Sequence, residues 1–224
     1  MGDQPNDLQI SAVIPAAGRS SRMGAFKPLL PFADRTLIER VIGALAPVCS
    51  EIIVVTGYHS EDLSNYLRRD RGQSWLSRLK LVHNPRWEEG MLTSIQAGAR
   101  EVNGDYFFVT PSDMPYISTH TYEMLASQPP RYALFPTQSE QPGHPVLISS
   151  AVIGDLLEAD PADGGGMKAF LSRYELEHYE VDTDEIFRDI DTIEEYGAAR
   201  AGHDARAGHD ARAGNKKSGE PGRN

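Results

Sequence analysis

The chain has 224 residues, 40% of them hydrophobic, 24% charged and 8% aromatic, which is enough for one ordinary globular core and rules out wholesale disorder. Its net charge is -10, with +3 in the stretch from Gly197 onward and -13 before it, so the body is a poor non-specific partner for nucleic acid. No apolar run approaches the ~18 residues that span a bilayer, which argues against a membrane protein.

Residues Met1–Asp7 are polar and acidic, without the basic and apolar segments of a secretory signal. The single cysteine, Cys49, supports neither an internal disulfide nor a cysteine-based zinc site. A cytoplasmic location is the expectation.

From Ile10 the chain alternates. Ile10–Pro15 reads as a buried strand, Thr36–Leu45 as a helix, Glu51–Thr56 as a strand and Glu61–Arg69 as a polar helix. Leu79–His83 is a strand, Leu92–Val102 a helix, Asp105–Thr110 a strand, and a helix is expected near Thr119–Ser127. Tyr132–Phe135 and Val146–Ser149 are shorter strands, followed by helices near Ala151–Glu158 and Met167–Arg173, a strand at Leu176–Val181 and a helix at Ile193–Arg200. Such alternation predicts an α/β fold: a Rossmann-like three-layer α/β/α sandwich around a mostly parallel sheet. Ligands of such sheets bind beyond the carboxyl ends of the strands.

Residues 199–204 and 205–210 both read ARAGHD, and 211–216 read ARAGNK. A six-residue repeat without large apolar side chains buries no face. The expected division is therefore one domain at 1–198 and a disordered tail at 199–224, with His203 and His209 excluded from the site.

Three segments that follow strands carry candidate chemistry. After the first, Ala16, Ala17 and Gly18 let a ligand approach the backbone, and Arg19, Arg22 and Lys27 supply cations. This fits an anion site, although the same cations suit a solvated turn. It matches neither the Walker nor the dinucleotide fingerprint. After the fourth comes TPSDMP (110–115), where Asp113 suits a Mg²⁺ ligand or a turn. Near the end of the body, Asp189 and Asp191 flank Ile190 and in an extended chain point the same way. Thr192 with Glu195 also fits a capping box. Ser94 reads as a nucleotide donor or a helix cap, and His144 as structural or functional.

Together these residues resemble the MobA-like NTP transferase family, in the branch of molybdenum cofactor cytidylyltransferases, over about Ile10 to Tyr196. The run from Ala16 to Leu30 is similar to the family's A-A-G-x-S-x-R-M-G-x-x-K-x-L-L. Asn84, Trp87, Gly90, Met91 and Ser94 match N-x-x-W-x-x-G-M-x-x-S, while Asp113-Met114-Pro115, Gly143-His144-Pro145 and 189–195 match three shorter motifs.

The resemblance implies a nucleotide-diphospho-sugar transferase-like fold and a job for each motif. Ala16, Ala17, Gly18, Arg19, Ser20, Arg22 and Lys27, with Ser94 and Ser112, would bind the nucleotide. Arg22, Lys27 and Asp113 would be catalytic, and Asp113 with a carboxylate of the Asp189/Asp191 pair would hold Mg²⁺. Trp87, Met91, His144 and Lys168 would line the acceptor side. Ala17, in A-A-G rather than A-G-G, points to CTP. The implied reaction transfers CMP to the phosphate of molybdopterin with release of pyrophosphate, and a molybdenum hydroxylase would be the client. Alternatives are GTP as donor, a sugar- or polyol-phosphate as acceptor, a non-catalytic cofactor chaperone and a decayed nucleotide-binding module.

Three positions depart from the pattern. Ser112 stands where Gly or Ala is usual, and Ile193 where Pro is. Gly164–Lys168 replaces a G-D-x-G-A-R-like stretch, so Lys168 either meets an anionic group or is a solvated helix residue.

Overall fold

The computed structural model of the chain describes residues 8–201 apart from Ser21, Arg22 and Asp70. In chain order the elements are β1 (Ile10–Pro15), a small hairpin of β2 (Pro31–Phe32) and β3 (Arg35–Thr36), α1 (Leu37–Leu45), β4 (Glu51–Thr56) and α2 (Ser60–Leu67). Then come β5 (Leu79–His83), α3 (Met91–Ala99), β6 (Tyr106–Val109), α4 (Thr119–Ala126), β7 (Ala133–Gln138), β8 (Gln141–Pro142), β9 (Val146–Ser149), α5 (Ile153–Glu158), α6 (Gly166–Leu171) and β10 (Leu176–Glu180). A last helix occupies residues 193–201. Of the disordered tail expected at 199–224, residues 199–201 belong to this helix instead, and the rest lies outside the described residues.

The sheet runs β10-β7-β9-β6-β1-β4-β5, with β8 paired to β7. Along that path β9 alone runs against its neighbours β6 and β7; the other pairs are parallel. From β1 the chain builds outward through β4 and β5, then returns to place β6 on the other side of β1. That reversal opens a crevice at the carboxyl ends of β1 and β6.

Every residue of β1 is buried, because helices cover both faces of the sheet. Alternation along the strand sends Ala12 and Ile14 into a core with α1, α2 and α4 (Ile38, Ile42, Leu63, Tyr122). Val13 points the other way, into a core with α3, α5 and α6 (Leu92, Ile95, Leu156, Phe170). Each fully buried aliphatic side chain contributes roughly 1.5–3 kcal/mol. The layers sit so close that a Cβ on Gly98 of α3 would lie 2.5 Å from Val13 Cγ1.

Local signals set the element ends. Thr36 and Glu39 form a complete capping box at the start of α1. α3 stops at Ala99, three residues short of the pattern-based end at Val102, because the chain must enter β6 beside β1. A Cβ on Gly104 would meet Gln9 O at 2.5 Å, and the Gly104 amide donates to Ser11 Oγ. Among the described residues no helix is long and apolar enough to cross a membrane.

Candidate active site

The loop after β1 is stitched to the end of β4. The Ala16 amide donates to Val55 O at 2.8 Å and the Tyr58 amide to Ala17 O at 2.9 Å. Ala16 and Ala17 are buried, whereas Gly18 and Arg19 are exposed. Ser20 adopts the left-handed region (φ 52°), and its carbonyl accepts from the Met23 amide while its hydroxyl accepts from the Lys27 amide. Ser20 therefore braces the tight turn Lys27–Leu29 that carries the lysine. Arg22 lies outside the described residues.

Arg19 stacks over Tyr58 and Trp87, at 5.5 and 5.7 Å from the ring centroids, and sits 3.6 Å from Glu88. A Cβ on Gly57 would lie 2.6 Å from Trp87 Cβ and 2.8 Å from Ala17 Cβ, so glycine alone lets those two residues close on β4. Trp87 thus stands beside the 16–20 loop. Tyr58 is a site residue the sequence reading missed. Its signal was its position two residues beyond a strand, the rule that flagged the loops after β1 and β6.

Lys27 is the centre of the site. Its Nζ donates to Asp113 Oδ2 at 2.8 Å and to Asp191 Oδ1 at 2.7 Å, and the residue is 8% exposed. Asp113 comes from the loop after β6. Asp191 arrives because the Ile190 amide donates to Asp113 O and Ile190 packs with Met23, Phe32 and Tyr196. The Thr192–Glu195 capping box forms as the sequence predicts, which leaves the Asp191 carboxylate to face the lysine.

Burial alone would lower the Lys27 pKa, but the two carboxylates more than reverse this and hold it above its ordinary value. The Asp189 carboxyl is pushed up, first by burial and then by Asp191 and Asp113, with Lys27 only partly compensating. Three carboxylates therefore surround one ammonium, a surplus of negative oxygen that suits a hard divalent cation sharing its shell with phosphates. Among the described residues no three such side chains form a metal-holding cluster by themselves, so phosphate oxygens would have to complete the shell.

Two cavities share part of their lining. The larger, of about 390 Å³, is walled by apolar side chains such as Ile95, Val109, Phe135 and Leu171, with Lys168 and His178 among its few polar groups. The smaller, of about 330 Å³, contains Asp113 and Asp189. Met91 and His144 line both. Gly143 makes room for this arrangement, since a Cβ there would meet Ile186 O at 2.6 Å, and the His144 amide donates to that same carbonyl. His144 Nδ1 is buried with no partner among the described residues. Burial lowers the His144 pKa against the opposing pull of Asp113, so the ring is neutral at pH 7. Phe135 and His178 were missed because their pairing across β7 and β10 is non-local.

Two serines of the expected nucleotide set are buried. Ser94 is buried and accepts from Asn84 Nδ2 at 3.0 Å; Gly90, not Ser94, caps α3. Ser112 is buried just ahead of Asp113.

The family model for the MobA-like NTP transferase domain matches residues 12–179. The chain belongs to this family. As a MobA-like NTP transferase it is a nucleotidyltransferase. A molybdenum cofactor cytidylyltransferase of Escherichia coli (strain K12) is 32% identical over 193 residues, 85% of this chain and 95% of the relative. A nucleotidyl transferase structure from Methanothermobacter thermautotroptrophicus superposes with a TM-score of 0.73 at 24% identity, covering 89% of this chain and 99% of that one. The Rv0371c structure from Mycobacterium tuberculosis H37Rv, a complex with manganese, gives a TM-score of 0.60 at 18% identity, covering 86% and 98%. These two structures share the fold.

Proposed function

We propose that this transferase moves CMP from CTP to the phosphate of molybdopterin, releasing pyrophosphate. The observation that carries the reading is the buried Lys27 between Asp113 and Asp191, with Asp113 in the wall of the smaller cavity. The 32% identity to a molybdenum cofactor cytidylyltransferase over nearly its whole length supports both substrates.

In this reading the 16–20 backbone and Arg22 receive the triphosphate. Asp113 with one carboxylate of the Asp189/Asp191 pair would hold Mg²⁺, phosphate oxygens completing the shell. When bound, that ion neutralises phosphate charge and orients the α-phosphate. Lys27, held charged by its two partners, would offset charge on the departing pyrophosphate. An oxygen of the acceptor's phosphate forms the new bond to the α-phosphorus of CTP, and the bond to the β-phosphate bridging oxygen breaks. The attacking dianion needs no general base near neutral pH, since its second pKa is ~6. The protein's work is alignment and charge balance.

The acceptor cavity favours a planar ring system over a sugar- or polyol-phosphate. Hydroxyls against its apolar walls would go unpaired, at roughly 1–3 kcal/mol each. A pterin can lay its faces on those walls and turn its polar edge to Lys168 and His178. The Ala17 methyl, packed toward Gly57 and Trp87, narrows the loop by one carbon relative to glycine, in line with a cytidine donor.

The test is pyrophosphate release from CTP, GTP and ATP, each with Mg²⁺ and with or without molybdopterin. Acceptor-dependent release from CTP alone is expected. Release from GTP instead discards the base assignment. No release together with tight binding of the finished dinucleotide replaces the enzyme reading with a cofactor chaperone.

A further inference from the structure

Residues 181–192 run from the end of β10 to the β1 loop and deliver Asp189 and Asp191 to the Lys27 cluster. This strap contains one short helical turn, Asp184–Phe187. At its start the Val181 amide donates to Thr137 O, and near its end the Ile190 amide donates to Asp113 O. Between those points Glu185 supplies a side-chain anchor. Its Oε1 accepts from the Ser118 amide at 3.1 Å, from the Ser118 hydroxyl at 2.9 Å and from the Thr121 hydroxyl.

Ser118 is the N-cap of α4, so this carboxylate sits where the helix presents unpaired amides and partial positive charge. The next residue, Ile186, is fully buried, and its carbonyl seats the His144 amide at 2.9 Å. One turn therefore ties both the strap carboxylates and His144 to a rigid helix of the core.

We propose that Glu185 is a positioning residue for the transfer. Its bonds to α4 set where the strap holds Asp189 and Asp191 relative to Lys27, and where His144 stands between the two cavities. The inference rests on the reading of those aspartates as the holders of a divalent cation. Glu185 itself touches no substrate.

The test uses the full chain. Mn²⁺ binding is measured by electron paramagnetic resonance with a non-hydrolysable CTP analogue, and amide exchange is followed at His144 and Ile190. Glu185→Ala is expected to weaken Mn²⁺ about 10-fold, the usual size for an outer partner of a metal site. It should lower kcat by a similar factor and leave KM for CTP within about 2-fold. Exchange should quicken at His144 and Ile190 but not at Ala12 in β1. Glu185→Gln, which keeps an acceptor oxygen, should restore most of each loss, and Thr121→Val, which alters only α4, should give a smaller loss of the same kind.

A folded Glu185→Ala protein with wild-type Mn²⁺ affinity and unchanged exchange at Ile190 overturns the inference. If Glu185→Ala does not fold, a Thr121→Val protein with wild-type values overturns it instead. A wild-type protein that turns over yet binds no Mn²⁺ overturns the metal reading, and the exchange data still decide the role of Glu185.

Discussion

Replacing Lys27 by methionine keeps most of the length of the side chain and removes its ammonium. Asp113 and Asp191 then lose charge-assisted bonds of 2.8 and 2.7 Å and face Asp189 with no cation between them. Breaking a fully buried pair costs about 3–5 kcal/mol. The Asp191 side chain is 41% exposed, so its share falls toward the small value of a surface pair. The expected loss is about 2–3 kcal/mol, or roughly 5–10 °C in melting temperature for a protein of this size.

The pH dependence has a definite sign. The Lys27 pKa is raised on folding, so its contribution is complete below the ordinary value of 10.5 and is lost as pH rises through the folded value. On the acid side, the crowded carboxylates of Lys27→Met gain protons more readily than those of the native site. The gap between the two proteins should therefore narrow from pH ~7 to pH ~4, and also when millimolar Mg²⁺ is added. Thermal melts of both proteins across that range, with and without Mg²⁺, measure it. Equal melting temperatures at neutral pH, or a gap that widens on acidification, refute the reasoning.

Three further predictions concern other parts of the molecule. Asp113→Ala should fold, because Lys27 retains Asp191, but should lose about 10³-fold or more in Mg²⁺-dependent pyrophosphate release; near-wild-type turnover rejects its assignment to the cation. Lys27→Ala, by contrast, should act mainly through a higher KM for the triphosphate, as steady-state kinetics would reveal. Gly57→Ala forces a methyl to within 2.6 Å of Trp87 Cβ and 2.8 Å of Ala17 Cβ, stubs that cannot swing away. It should cost about 1–3 kcal/mol in urea titrations and weaken nucleotide binding, whereas unchanged binding would remove the Ala17–Trp87 wall from the nucleotide site.

Glu39 offers a second pH experiment, remote from the site. Burial would raise its pKa, but donors from Thr36, Tyr66 and Arg71 hold it below the ordinary 4.5. Its contribution is present above that value and fades as pH falls through the folded one. Glu39→Gln should thus cost about 1–2 kcal/mol near pH 7 and nothing in strong acid; a pH-independent loss in melting curves contradicts this.

Much of this protein is legible from spacing along the chain. The apolar runs at Ile10–Pro15, Glu51–Thr56, Leu79–His83 and Val146–Ser149 coincide with β1, β4, β5 and β9, since a buried strand needs only consecutive apolar residues and a turn at each end. The two capping boxes, Thr36/Glu39 and Thr192/Glu195, are equally local. The alternation of strand and helix, together with the small and cationic residues after β1, directs attention to the carboxyl edge of the sheet.

Tertiary packing decided the rest. Nothing near Val146 states that β9 runs against β6 and β7. The seat of Trp87 beside Ala17 and the anchoring of Glu185 on α4 join segments whose own patterns do not mention each other. The centre of the site is the extreme case. Lys27 meets a carboxylate 86 residues away and another 164 residues away, and only the assembled sheet, loop and strap bring the three side chains together. Sequence spacing selects the residue types that can do this chemistry. The folded core sets their distances, because packing alone brings remote segments within reach of a hydrogen bond.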